Sequence, residues 1–271
     1  MVEIEKTYKI YEKKFGYVNW IGTYSLWLKE CKRFIAVWIQ TVFSPIITSL
    51  LFLLVLSLAI GNERGDVLGF SFVTFLAPGL ICMSAIIQQA FSHSSSSIMI
   101  GKMQNTLCDI LYAPLTAAEI TIAMSLASCA RSIVIVVVSI LVFYFVADLK
   151  FYSFFHIIIF TLLSSFIMGA LGIIIGLASE KFDHMASYTN FIITPLSFLS
   201  GTFYTIDRLP GFLQNISEFN PFFYMIDGFR YGFLGVSDGS VKFGLYYLLI
   251  LSFLTWFVAY ILFKKGYKIK S

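Results

Sequence analysis

Long runs without a charged residue constrain this sequence more than any other feature. About 20 consecutive apolar residues cross a bilayer as an α-helix, and runs of that length recur along the 271-residue chain. Only 13% of the residues are charged, whereas soluble domains carry about 25%. Such a chain cannot cover an ordinary water-facing surface. We therefore predict an all-α, multi-pass membrane protein whose residues 1–271 form a single transmembrane domain.

Six apolar stretches are predicted to span the membrane. The first, residues 39–60, would measure about 33 Å as a helix, which is enough to cross a bilayer with slight tilt. The six predicted spans cover approximately residues 39–60, 67–91, 120–146, 152–178, 185–206 and 243–263.

The distribution of positive charge predicts the orientation of these spans. Lysine and arginine are retained on the cytoplasmic side of a membrane. Seven of them precede the first predicted span and four follow the last. Both termini are therefore expected to be cytoplasmic.

Residues 19–38, at the end of a predicted cytoplasmic tail 1–38, have the pattern of an amphipathic helix. Basic residues fall largely off an apolar stripe, which is typical of a helix lying at the membrane interface. This helix either only anchors the chain or also forms a docking shelf for a cytosolic partner, in which case Trp27 and Lys29 are candidate contacts. The stripe consists of Trp20, Tyr24, Trp27, Cys31, Phe34 and Trp38.

The loop between the second and third spans is expected to contain a short amphipathic helix. Apolar residues recur every four positions, and the helix should end near Tyr112 because Pro114 follows. Thr116 and Glu119 fit a capping box that opens the third span. The repeating residues are Met99, Met103, Leu107 and Leu111, with Ile110 beside them.

The segment between the fifth and sixth spans is too apolar for a solvated loop and too interrupted for a span. Pro210 fits the first turn of one short helix, and Asn220 with Pro221 would end it and start another. Backbone of this kind is stable at membrane depth only where protein or a water-filled cavity covers it. We predict two short re-entrant helices in the outer leaflet that act as a gate or lid.

No constellation of catalytic or metal-binding residues is apparent. The four cysteines and three histidines lack metal-ligand spacing, so no metal site is predicted. No phosphate-binding loop is present, and acids within the spans are nearly absent. We therefore predict that the chain is not an enzyme, holds no cofactor, has no nucleic-acid partner and obtains energy for any uphill transport from another subunit.

Arg131 is the exception within the third span. It falls near the predicted bilayer centre, where an unpaired arginine costs roughly 2.5 kcal/mol or more. Three interpretations remain open. Arg131 snorkels to the interface, pairs with a carboxylate or carbonyls at a subunit interface, or contacts an anionic substrate.

From about Tyr24 onward, the layout and several motifs resemble the permease subunits of type-2 ABC exporters. The bacterial branch that contains nodulation-factor exporters and related inner-membrane permeases is the most similar. The motifs are "FVTFLAPGLICMS" at residues 72–84, "DILYAPLTAAEI" at residues 109–120, and the stretch from "PLSFLSGTFYTIDRLP" to "FRYGFLG" at residues 195–235.

The resemblance implies a homodimer or pseudo-dimer in the bacterial inner membrane, surrounded by lipid and docked on separate cytoplasmic ABC ATPase subunits that bind ATP and Mg. It implies export of a lipid-linked, glycan or amphipathic substrate; a membrane-embedded transferase and a channel that needs no ATP are the alternatives. The implied ATPase-coupling residues are Met99, Met103, Leu107, Asp109, Ile110, Tyr112, Trp27 and Lys29. The implied external gate comprises Phe203, Tyr204, Pro210, Asn220, Pro221 and Arg230.

Overall fold

The computed structural model describes residues 18–60 and 67–268, and within them the regular structure is helical apart from one isolated bridge between Val67 and Phe70. Residues 1–17 of the predicted cytoplasmic tail lie outside this part. In chain order the helices are α1 (Trp20–Ala36), α2 (Ile39–Ala59), α3 (Phe72–Met103), α4 (Thr106–Tyr112), α5 (Ala117–Ala147), α6 (Phe154–Ala178), α7 (residues 182–198), α8 (Gly211–Phe219), α9 (Pro221–Leu234) and α10 (Val241–Lys264).

Five of these helices, α2, α3, α5, α6 and α10, are long and apolar enough to cross a membrane. They overlap the first four and the last of the predicted spans. The fifth predicted span, residues 185–206, corresponds to α7, which ends at Phe198 and would be only about 25 Å long. A π-helical turn, Thr189–Ile193, precedes Pro195 and accommodates the proline, which has no backbone N–H to donate.

The second predicted span was placed too short, because α3 continues beyond residue 91 to Met103. The serines at 94–97 lie inside this helix. Ser94 Oγ is 2.6 Å from Ser128 Oγ of α5. A Cβ on Gly172 of α6 would lie 2.5 Å from the carbonyl oxygen of Phe91. Small residues on both helices thus permit close backbone approach, as in membrane helix pairs generally.

The prediction of one amphipathic helix from Met99 to Tyr112 is wrong. Met99 and Met103 belong to the end of α3, and the chain turns at Asn105, whose φ of +57° is left-handed. Asparagine tolerates this conformation better than most residues. The separate helix α4 then begins at Thr106.

The capping box predicted for the start of α5 is confirmed. The Thr116 hydroxyl accepts from the Glu119 N–H at 3.3 Å, and the Glu119 carboxylate accepts from the Thr116 N–H at 2.6 Å. Both otherwise unpaired N–H groups at this helix start are thereby satisfied.

Helix α1 packs against the bundle, but its buried face differs from the predicted apolar stripe. Cys31 and Phe34 are buried as part of that face, together with Glu30, which is 2% exposed. Trp20 and Tyr24 point outward, with 74% and 59% of their surface exposed. The buried face of α1 therefore lacks two aromatic residues of the predicted stripe and includes a carboxylate that the stripe did not contain.

Contacts between chain segments define two ends of the bundle. At the α1 end, the Asn19 N–H just before α1 donates to Glu119 Oε1 at the start of α5, at 2.5 Å. Near the end of α3, Lys102 Nζ donates to the Leu177 carbonyl at the end of α6, at 2.5 Å. After α10, Lys268 Nζ lies 2.7 Å from Glu180 Oε1, which follows α6. The α1 end therefore gathers the starts of α1 and α5 and the ends of α3, α6 and α10.

The α9 end lies at the other extremity of the long helices. The Thr74 hydroxyl near the start of α3 donates to the Ala147 carbonyl at the end of α5, at 3.2 Å. The Tyr152 N–H, just before α6, donates to the Gly232 carbonyl of α9 at 3.0 Å. Helix α9 packs here against α3, α6 and α10.

Candidate functional site

A groove of about 440 Å³ opens at the α1 end, between α1 and the segment from α4 to the start of α5. Because 69 residues separate the end of α1 from the start of α4 in sequence, only the folded bundle creates it. The groove is lined by Asn19, Ile21, Gly22, Ser25, Leu26, Lys29, Asp109, Ile110, Ala113, Pro114 and Leu115.

Asn19 fixes the two walls of the groove relative to each other. Its side-chain oxygen accepts from the Gly22 N–H at 2.9 Å and caps α1, while its Nδ2 donates to the Pro114 carbonyl at 3.0 Å. The Asn19 N–H donates to Glu119, the same carboxylate that closes the capping box of α5. The start of α1 and the start of α5 therefore share one set of hydrogen bonds.

The floor of the groove is apolar and closely packed. Leu26, which lines the groove, is buried together with Leu107, Ile98 of α3 and Met124 of α5 in one hydrophobic cluster. A Cβ at Gly22 would lie only 2.8 Å from both a methyl group of Leu115 and Asn19 Nδ2, so a larger residue here would have to displace one of these side chains. The groove is thus a fixed surface feature built on the ends of four helices.

The predicted coupling residues divide into surface and interior groups. Lys29, Asp109 and Ile110 line the groove. Tyr112 and Met103 are not part of its lining, but 89% and 63% of their surface is exposed. Trp27 is half-buried, and its ring packs 5.6 Å from that of Tyr24. Met99 and Leu107 are buried, so a partner could not touch them directly.

A second set of polar contacts ties the other half of α1 to α3. Glu30 Oε2 accepts from Arg33 Nε at 3.0 Å and from Ser97 Oγ at 2.8 Å. Arg33 Nη2 also donates to the His93 carbonyl at 2.8 Å. A buried carboxylate is stable only when paired and hydrogen-bonded, and Glu30 is both. The spacing of the apolar residues gave no sign of this contact.

Arg131 lies where α5 meets α3, one turn beyond the contact between α1 and α5. Its Nη2 donates to Gln89 Oε1. In the described part of the chain, no carboxylate lies within 4.0 Å of its guanidinium, and its buried Nε has no hydrogen-bond partner. Arg131 is thus bonded to a neutral amide, which leaves its charge without an internal counterion there.

Residues 22–234 match the family model described as "ABC-2 type transporter". The chain belongs to this family. It is 32% identical over 257 residues to "Inner membrane transport permease YadH" of Escherichia coli K12, a match covering 94% of this chain and 99% of that protein. It is 27% identical over 224 residues to "Nodulation protein J" of Rhizobium leguminosarum bv. viciae, covering 79% of this chain and 85% of that protein. The resemblance drawn from the motifs is confirmed.

ABC-2 permeases are transmembrane subunits without an ATPase domain, and they pair with ATPase subunits. The prediction that the chain is not itself an enzyme is therefore confirmed by its family. Within residues 18–60 and 67–268, no three His, Cys, Asp or Glu side chains converge in a way that could hold a metal ion.

The predicted gate residues of this ABC-2 permease lie at the α9 end. Arg230 is 1% exposed. Its Nη2 donates to the carbonyl oxygens of Gly201 and Thr202 at 2.8 and 3.3 Å. Its guanidinium carbon lies 4.0 Å from the ring centroid of Phe75. Arg230 therefore ties α9 to α3 and to the segment that follows α7.

The remaining predicted gate residues surround this contact. Asn220 donates to the Leu196 carbonyl at 2.8 Å and caps α9, whose first residue is Pro221. The Tyr204 hydroxyl donates to the Phe198 carbonyl at 3.1 Å, and the Phe203 ring stacks on that of Phe198. Pro210 is exposed at the N-cap of α8, one residue before the position predicted for it.

Sequence reasoning missed Asp227, which organises the loop after α9. Its carboxylate oxygens accept from the N–H groups of Asp238 and Gly239 at 2.9 and 3.1 Å. Burial raises the pKa of Asp227 to about 6, although these two hydrogen bonds favour the charged form. The partners lie 11 and 12 residues away in a loop, so no local motif marks them.

Proposed function

We propose that this chain is the membrane-spanning subunit of an exporter and that a separate cytoplasmic ATPase subunit docks in the groove between α1 and α4. The observation that carries this proposal is the groove itself. Its lining combines apolar residues with Lys29 and Asp109, and Tyr112, next to the lining residue Ala113 in sequence, is 89% exposed. The family supplies the kind of partner, and the groove offers it a preformed surface.

The contacts at the two ends of the bundle support six crossings with both termini cytoplasmic. Glu180 lies at the α1 end through its ion pair with Lys268, whereas Gly201 and Thr202 are bonded to Arg230 at the α9 end. Helix α7 and the residues following it connect these positions. We therefore infer that this short helix also crosses the membrane, which brings the number of crossings from five to six. The excess of basic residues near the termini favours the α1 end as cytoplasmic.

A force applied at the groove would reach the membrane helices through existing contacts. The Asn19–Glu119 bond joins α1 to α5, and the Glu30–Ser97 bond joins α1 to α3. ATP and Mg would be bound by the partner, and closure of the ATPases would displace α1 and α4 together with these two helices. We propose that this displacement drives the transport cycle.

The outward face of α2 supports assembly with a second copy of the chain in the inner membrane. Several large apolar residues on this helix are exposed, which lipid or a second permease would cover. The export path would lie between the two copies, and α8 and α9 would form its re-entrant outer gate. The exposed residues of α2 include Phe43, Ile47, Leu51, Leu54, Val55 and Leu58.

The proposed cargo is a lipid-linked, glycan or other amphipathic molecule. Two of the relatives support an inner-membrane transporter of this kind, since one is named an inner membrane transport permease and the other a nodulation protein. The structure offers no catalytic constellation that would favour a transferase among the described residues.

Stimulation of ATP hydrolysis by the permease tests the docking site. The purified ATPase subunit should hydrolyse ATP several-fold faster with the wild-type permease, and Asp109→Arg or Tyr112→Ala should remove most of the gain. Both side chains are exposed, so the fold should not change. Arg208→Ala, an exposed change at the α9 end, is the matched control.

Three results would contradict the proposal. Full stimulation by both groove variants would place the ATPase elsewhere. Ion conduction without ATP would indicate a channel, and chemical turnover of a substrate by the chain alone would indicate a membrane-embedded transferase.

A further inference from the structure

Arg131 and Arg33 approach the same stretch of α3 from two different helices. Arg131, on α5, donates to the Gln89 side chain, and Arg33, on α1, donates to the His93 carbonyl. Gln89 and His93 are four residues apart, which is about 6 Å along a helix. The two arginines thus bond to adjacent turns of α3.

The charges at this point do not balance within the described residues. Glu30 is the carboxylate that faces the pair, and it is bonded to Arg33. Arg131 contributes a second positive charge that is hydrogen-bonded to the neutral amide of Gln89, and its Nε is buried without a partner. A charged guanidinium in an apolar segment is stable when it faces water or an anion.

Both side chains remain reachable from outside the bundle. The Arg33 side chain is 29% exposed, and Arg131 is partly exposed. Arg131 lies one helical turn beyond Ala127, which packs against Cys31 and Phe34 of α1. If α1 lies at the cytoplasmic interface, the two guanidinium groups are at the depth where lipid headgroups meet acyl chains.

We propose that Arg131 and Arg33 form a binding site for the phosphate group of an amphipathic molecule in the cytoplasmic leaflet. The membrane setting rests on the proposed function. A guanidinium group matches phosphate through paired N–H donors, and one phosphodiester would balance the excess positive charge. The same chemistry suits a phospholipid headgroup or the phosphate of a lipid-linked cargo entering from this side.

Lipid binding to the purified full-length chain tests the site. Native mass spectrometry would compare phosphatidylglycerol with a galactosyl diacylglycerol of the same acyl chains, which lacks phosphate, and with soluble glycerol phosphate. We expect phosphatidylglycerol to bind in preference to the galactolipid. Removing one guanidinium with Arg131→Gln should weaken phosphatidylglycerol binding by roughly fivefold.

The variants separate this site from general attraction of anions to a basic protein. Arg131→Lys, which keeps the charge, should retain part of the binding, and Arg208→Gln at the α9 end should retain all of it. If Arg131→Gln gives no monodisperse protein, Arg33→Gln carries the same comparison because its side chain is partly exposed.

The outcomes decide the proposal in either case. Arginine-dependent binding of phosphatidylglycerol alone supports a lipid-borne phosphate, and equal arginine-dependent binding of glycerol phosphate supports a site that also accepts soluble phosphates. Equal affinity for the galactolipid, or binding unchanged by both Arg131→Gln and Arg33→Gln, would overturn the proposal. Binding is measured without the ATPase, so that failure would leave the groove assignment intact.

Discussion

The short helices at the two ends of the bundle differ in how much of their surface is buried. Helix α9 has 14 residues, of which 12 are buried, whereas Leu107 is the one buried residue of the seven in α4. Both helices are too short to cross a membrane. The difference shows that α9 is packed as part of the permease itself, while most of the surface of α4 is left uncovered by the chain.

The polar groups show the same contrast. At the α9 end, Arg230 and Asp227 are buried and bonded to carbonyl or N–H groups of the same chain. At the α1 end, Lys29 and Asp109 line the groove, and neither forms an ion pair within the described residues. At the α9 end, Arg230 Nη2 and the Asp227 carboxylate are thus bonded within the chain, although the buried Arg230 Nε has no hydrogen-bond partner among the described residues. At the α1 end, Lys29 and Asp109 leave their charges unpaired within those residues.

The largest effect is expected from Arg230→Leu. The change would leave the carbonyl groups of Gly201 and Thr202 buried without their donor and would remove the contact with the Phe75 ring. We expect a loss of about 3 kcal/mol in the free energy of unfolding, or failure to accumulate in the membrane. Thermal unfolding of the purified protein measures it.

Arg208→Leu is the matched control for that experiment, because Arg208 lies at the same end but is exposed. Its melting temperature should stay close to that of the wild type. A small effect of Arg230→Leu would show that the α9 end is less self-contained than its hydrogen bonds indicate, and the contrast between the ends would be lost.

An intermediate effect is expected from Gly228→Ala. A Cβ at this position of α9 would overlap the ring of Phe160 on α6, and that ring is itself 1% exposed and cannot easily move. Overpacking of this kind costs about 1–3 kcal/mol. The melting temperature of Gly228→Ala should therefore fall.

Gly211→Ala provides the comparison within the neighbouring helix α8. A Cβ at Gly211 meets no atom within 4 Å, so the gain in helix propensity should leave the melting temperature unchanged or slightly higher. Equal melting temperatures for the two variants would mean that α9 can shift away from α6 without cost.

The features that the sequence predicted well depend on neighbouring residues. The capping box at Thr116 and Glu119 is complete within four residues. The apolar runs of α2, α5, α6 and α10 are each long enough in sequence to indicate a membrane-spanning helix. The features that it missed depend on distant parts of the chain. Ser94 and Ser95 of α3, for example, pack against Gly172 and Gly176 of α6, which lie about 80 residues further along the chain.

The candidate site shows the same limit. The spacing of Met99, Met103 and Leu107 continued across a break that is set by the left-handed conformation of Asn105. The pattern therefore indicated which residues are apolar in the loop, but it did not separate exposed Met103 from buried Met99. The groove was not predictable, because it requires α1 and α4 to be placed side by side.

The smallest expected effect is the pH dependence of stability that Asp227 contributes at the α9 end. Burial raises the pKa of Asp227 from 3.8 to about 6, so the folded protein holds this proton more tightly than the unfolded chain does. The contribution of Asp227 to stability is therefore greater at low pH and is lost as pH rises through about 6. Between pH 7 and pH 5 the gain should be about 1 kcal/mol, or a rise of a few degrees in melting temperature.

Asp227→Asn isolates this contribution, because an amide at the same position does not titrate. The difference in melting temperature between pH 5 and pH 7 should be smaller in the variant than in the wild type by that same amount. The variant keeps an oxygen that can accept from Asp238 or Gly239, so it should still fold. An identical pH dependence in both proteins would show that Asp227 is accessible to water. The α9 end would then open to solvent as the groove does, and burial would no longer distinguish the two ends.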